Sequence, residues 1–186
     1  MPPLAALAPL LLALQLWPGA AGVLGFARAR FEQGAWWEPI SSQFVHLSLP
    51  HALANAAALL PVAWLLRRGS ATLVQLGLLA GALAGVALLL VLDAGCAHYA
   101  GFSGVLHGWL GGALAGQRGP DGWLGCWRPG LVALLLLKVG LELGGWLPSA
   151  WDFPVYYPSH AAGLAGGLGA ALIMRLAASG TRQQRG

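Results

Sequence analysis

Residues 99–112 read YAGFSGVLHGWLGG, with Ser103 inside the tetrapeptide GFSG and His107 one helical turn later, at the mouth of an apolar run. The same stretch starts a glycine repeat. Gly104, Gly108, Gly112 and Gly116 recur every fourth residue and so line one face of a helix. A face that smooth lets a second backbone approach closely, which is how helices pack in lipid.

Composition agrees with that setting. Of 186 residues, 58% are hydrophobic and 9% charged, and mean hydropathy is +0.68. A soluble globule of this size needs more polar surface, so the chain reads as an integral membrane protein. A net charge of +4 and a pI near 9.7 would suit nucleic acid. The basic residues, however, come in ones and twos between apolar runs and form no patch, which excludes that partner. Cys96 and Cys126 are too few for a disulfide framework and are expected as free thiols on opposite sides of the bilayer.

A helix crossing about 30 Å of hydrocarbon needs about 20 mostly apolar residues. Six stretches approach this: 4–26, 47–66, 71–93, 101–117, 130–147 and 158–178. Their connections are short, so neighbouring helices should be antiparallel, and the expectation is an all-α membrane protein, one compact six-helix bundle forming a single domain over 1–186. The first stretch ends in PGAAG, faintly like a signal-peptide cleavage site, but it lacks a basic n-region and stays apolar to Phe26, which favours a retained helix. With both termini cytoplasmic, Arg67, Arg68, Arg118, Arg128, Arg175, Arg182 and Arg185 lie inside against Arg28 and Arg30 outside. All five histidines (His46, His51, His98, His107 and His160), with Ser103 and Asn55, then fall in the outer half, as one outward-opening polar pocket would require.

A serine becomes a nucleophile when a base takes its proton, and histidine suits that role near neutral pH. Two compete. His107, four residues after Ser103, leans back along the same helical face, whereas His160, opening the sixth span in SHAAGLAGGLG, must meet Ser103 across a helix interface. Gly163 and Gly167 give that sixth helix its own smooth stripe, so such a meeting is feasible. Acyl transfer also needs donors for an oxyanion. Backbone N–H groups at 103 and 104 lack partners at a helix start, Gly101 and Gly104 keep side chains away, and His51 and Asn55 share a face at i, i+4. Pro50 and Ser48 fit the start of that second helix. Lys138 and Glu142, also i, i+4, read as a mutually neutralising pair, since either alone costs about 2.5–3.5 kcal/mol at mid-bilayer. A metal enzyme drawing on His46, His51, His98 and His160 is the rival chemistry, but no H-E-x-x-H accompanies them, and no metal or other cofactor is expected.

With FVHLSLPHALAN (44–55), GFSG (101–104) and HAAGLAGGL (160–168), the sequence resembles the rhomboid intramembrane serine proteases. The resemblance implies Ser103 as nucleophile, His160 as base, His51 and Asn55 at the oxyanion, a supporting role for His46, and a Ser–His dyad without a third acid. GFSGVLHG, with His107 where other rhomboids carry a tyrosine that packs on the catalytic histidine, is most similar to the rhombosortase branch. That branch implies a bacterial inner-membrane enzyme, its site facing the periplasm, that trims C-terminal sorting signals of transmembrane substrates near a glycine-rich motif. Rhomboids often carry Trp-Arg in the first outer loop, whereas here Trp37 precedes Glu38. The alternative is a non-catalytic rhomboid-like protein that binds transmembrane helices.

Overall fold

The computed structural model describes residues 6–67, 71–116, 123–149 and 151–183. Helices α1 (Leu7–Leu16) and α2 (Ala20–Leu24) precede a short strand β1 (Phe26–Ala27), α3 (Arg28–Glu32) and α4 (Glu38–Ser41) with a 3-10 turn to Phe44. Then come α5 (Leu49–Arg67), α6 (Thr72–Leu92), strand β2 (His98–Tyr99), α7 (Ser103–Gly116), α8 (Trp123–Leu143) and α9 (Pro158–Gln183). Among the described residues, α6 and the 158–180 part of α9 are long and apolar enough to cross a membrane. The 38–44 and 49–64 helices form a third candidate span, bent by 85°. The protein is therefore a multi-pass, all-α membrane protein.

Three sequence expectations shift. The first stretch is not one helix, because Pro18 withholds an N–H and Gly19 turns left-handed at φ 81°, separating α1 from α2. The fourth is shorter: α7 has 14 residues, about 21 Å at 1.5 Å per residue. The fifth starts earlier, at Trp123, and ends at Leu143. Residues 4–5 and 117, and the orienting Arg68, Arg118 and Arg185, lie outside the described residues.

The glycine stripes hold the centre together. A Cβ on Gly163 would stand 1.9 Å from the Gly104 carbonyl oxygen, and one on Gly167 would stand 1.9 Å from that of Gly108, so α7 and α9 touch backbone to backbone. The contact relaxes at the far end, where a Cβ on Gly116 would meet Ala171 at 3.4 Å. A second stripe, not singled out in the sequence, lets α6 press on the other side of α9: Cβ atoms on Gly85 and Gly166 would lie 2.3 Å and 2.2 Å from the carbonyls of Ala162 and Gly81. Trp109, Phe102, Leu78 and Val105 fill the core beside these contacts. Leu73, Leu88, Leu137, Ile173 and Leu176 are exposed, as lipid-facing side chains should be.

The segment before α5 braces the start of α7. Strands β1 and β2 pair antiparallel, Phe26 opposite Tyr99, and the Arg28 N–H donates to the Ala97 carbonyl at 2.9 Å. Glu38, only 1% exposed, accepts from the Ala27 N–H at 2.8 Å and from Arg30 Nε at 2.5 Å. Glu38, the acid that follows Trp37, is thus the buried anchor of this loop. Arg28 donates to the Leu90, Val91 and Asp93 carbonyls, capping the end of α6.

Candidate active site

The Gly101 N–H donates to the Ser42 carbonyl at 3.0 Å, and the Tyr99 hydroxyl donates to the Gly101 carbonyl at 2.9 Å. Burial pushes that hydroxyl up to about 12, opposed by hydrogen bonds involving Ser159 and the Gly104 amide. Gly101 itself sits at φ 142°, where a side chain is strained, and a Cβ there would lie 2.9 Å from His51 Cε1. The loop thus delivers Ser103 as the first residue of α7, with its N–H at a helix N-terminus where no intrahelical carbonyl accepts it.

Across the tight crossing, α9 begins with Pro158 at its first position, and His160 lies in its first turn. Ser103 Oγ is 2.9 Å from His160 Nε2. The intrahelical competitor is turned elsewhere: His107 Nδ1 donates to the Ser103 carbonyl at 2.7 Å, and its ring stacks on that of His160 at 4.1 Å between centroids. Of the two histidines, His160 is therefore the one whose ring nitrogen meets the Ser103 hydroxyl.

The structure also places an acid behind the ring, where none was expected. Glu142 Oε2 is 2.9 Å from His160 Nδ1, while Oε1 accepts from Lys138 Nζ at 2.5 Å. The neutralising pair read from the sequence exists, but half of its carboxylate is engaged elsewhere. Glu142 lies near the C-terminal end of α8 and lines the same cavity as Ser103 and His160.

His51 and Asn55 line the same cavity of about 680 Å³ as Ser103 and His160. Ser48 caps α5 as read from the sequence, its Oγ accepting from the His51 N–H at 3.3 Å, and Asn55 Nδ2 donates to the His51 carbonyl at 3.2 Å. His46 is buried and meets the His51 ring edge-on at 4.9 Å. Trp151 and Phe153, which sequence reasoning missed, cover the other side of His51 at 5.3 and 5.2 Å. His98 is exposed on β2 at the cavity rim. Cys96 and Cys126 are both free, and burial pushes the Cys96 thiol up to about 11.

The metal rival is not assembled from the four histidines proposed for it. Among the described residues the cluster close enough to hold an ion is His107, Glu142 and His160. Lys138 Nζ, 2.9 Å from His107 Nε2 and 2.5 Å from Glu142 Oε1, already sits between two of these as the cation.

A family model described as the Rhomboid domain matches residues 33–177, well over half of the chain. A comparison with curated proteins found no match.

Proposed function

The chain belongs to the rhomboid family, whose members are intramembrane serine proteases, and from that premise we propose that Ser103 and His160 hydrolyse a peptide bond of a membrane-spanning substrate near the outer end of its transmembrane segment. The observation that carries this reading is the 2.9 Å contact between Ser103 Oγ and His160 Nε2 inside the cavity.

Ser103 Oγ adds to the scissile carbonyl carbon while its proton passes to His160 Nε2. The carbonyl oxygen becomes an oxyanion facing the Ser103 N–H, Asn55 and His51, where each donor acts in a water-poor setting. Collapse breaks the C–N bond, and the departing amine takes the proton from Nε2. Water then attacks the acyl-serine, giving its proton to Nε2. The second collapse frees the carboxyl product and returns the proton to Ser103. His46 holds the His51 ring, His107 holds the His160 ring, Gly101 makes room for the His51 ring, and Gly104 lets α7 close on the Ser159 carbonyl of α9.

His107 in place of the tyrosine common in rhomboids supports the rhombosortase branch. In that reading the substrates are C-terminal sorting signals with a glycine-rich motif, and the enzyme is a single rhomboid-like domain with six spans in a bacterial inner membrane. Its termini are cytoplasmic and its cavity faces the periplasm. The non-catalytic, helix-binding alternative leaves the Ser103–His160 hydrogen bond without a purpose. The test is cleavage, in membranes at matched expression, of a reporter helix with a glycine-rich outer end and a basic inner tail. Cleavage should vanish in Ser103→Ala and His160→Ala, and cleavage retained in either variant overturns the assignment.

A further inference from the structure

We propose that Glu142, tethered by Lys138, is a positioning residue for this hydrolysis, so that the site works as a triad of Ser103, His160 and Glu142 and not as a bare pair. The inference rests on the serine-protease reading above.

With both imidazole rings neutral and Glu142 ionised, the protons around these side chains fit in one way. The Ser103 carbonyl can only accept, so His107 carries its proton on Nδ1 and offers the Nε2 lone pair. Lys138, a donor only, fills that lone pair at 2.9 Å and also donates to Glu142 Oε1 at 2.5 Å. Oε2 then accepts from His160 Nδ1–H at 2.9 Å, which leaves the Nε2 lone pair facing Ser103 Oγ at 2.9 Å. The carboxylate thus selects the tautomer that can take the serine proton.

A pair that only neutralised itself in lipid would have no need of this. Lys138 is 44% exposed at its side chain, whereas Glu142 and His160 are 7% and 6% exposed. The buried half of the pair is the half that touches the base. When Nε2 takes the proton of Ser103, the imidazolium has Nδ1–H already directed at a carboxylate in a medium where that charge is poorly screened. The proton stays on the imidazole, and Glu142 holds the ring and balances its charge.

The experiment uses full-length protein in detergent and measures kcat and KM on the reporter helix for Glu142→Gln, Glu142→Asp, the double variant Lys138→Met/Glu142→Gln, Ser103→Ala and His160→Ala. Loss of the corresponding acid in soluble serine proteases lowers kcat about 10⁴-fold, and a fall of about 10²–10⁴-fold with KM changed less than about twofold is expected for Glu142→Gln. Glu142→Asp should recover part of the loss. The double variant removes the ammonium that Glu142→Gln leaves unpaired, and it should remain as slow as the single one. A downfield proton resonance from His160 Nδ1–H should be present in the wild type and missing in Glu142→Gln. Two results overturn the proposal while sparing the serine-protease reading: wild-type kcat in Glu142→Gln, or recovery of kcat in the double variant, with Ser103→Ala and His160→Ala both inactive. Cleavage by Ser103→Ala would instead defeat the reading beneath it.

Discussion

Replacing Gly163 by alanine tests whether the helix crossing sets the catalytic distance. The new Cβ would stand 1.9 Å from the Gly104 carbonyl oxygen, whereas an ordinary contact begins at 3.4 Å. The obstacle is the Gly104 backbone and not a side chain that could swing away, so the helices must part by the difference, about 1.5 Å. Gly104 adjoins Ser103, and Gly163 lies one turn from His160. The same parting would stretch the 2.9 Å Ser103–His160 contact beyond 4 Å, out of the range of about 2.6–3.2 Å in which a proton is handed over. A misplacement of about 1 Å can cost about 10²-fold in rate, so kcat/KM should fall at least about 10²-fold. Overpacking should destabilise the bundle by about 1–3 kcal/mol. Gly169→Ala, on the same helix but with nothing within 4 Å, and Gly116→Ala, at 3.4 Å from Ala171 Cβ, are the controls and should stay close to wild type. Cleavage of the reporter helix and thermal aggregation are measured in parallel. If Gly163→Ala cleaves as fast as Gly169→Ala, the tight crossing does not position the base.

Asn55→Ala should lower kcat while leaving KM nearly unchanged, because an oxyanion donor acts mainly in the transition state; the loss expected is about 10²–10³-fold, and a raised KM alone would assign Asn55 to substrate binding. Tyr156 and the Gly95 N–H donate to Asp93 and hold its carboxyl below the ordinary 3.8. A depressed carboxyl stabilises above its unfolded value, and that contribution fades as pH falls through the folded one, so this tie between the 93–97 turn and the segment leading into α9 should loosen only below about pH 4. Limited proteolysis of the 144–157 loop across pH 7 to 3 reads it, and an identical onset in Asp93→Asn would refute the link.

Much of the site was legible because it rests on spacing along single helices. Ser103, Asn55 and the α7 glycines announce themselves by period, and the membrane setting follows from composition. What stayed hidden depends on which helices touch. Gly81 and Gly85 carry the same period as the α7 stripe, yet their role appears only once α9 is seen wedged between α6 and α7. Lys138 and Glu142 satisfied each other on paper, so nothing in their i, i+4 spacing demanded a third partner. Glu38 reads as an ordinary loop acid until its burial against Ala27 and Arg30 is known. Trp151 and Phe153 reach His51 from more than 90 residues away, a proximity no local pattern encodes. The first apolar run misled because hydropathy ignores the turn that Pro18 and Gly19 impose.

The central claim, that Ser103 is a nucleophile made reactive by His160, is tested most directly by a serine-directed fluorophosphonate on the purified protein, with the adduct located by mass spectrometry. Exchanging a hydroxyl for hydrogen at Ser103 opens almost no cavity, so Ser103→Ala should fold as the wild type does. The account predicts a phosphonyl adduct on Ser103 in the wild type and none in Ser103→Ala or His160→Ala. Equal labelling of wild type and Ser103→Ala, or an adduct on any other residue, would contradict it.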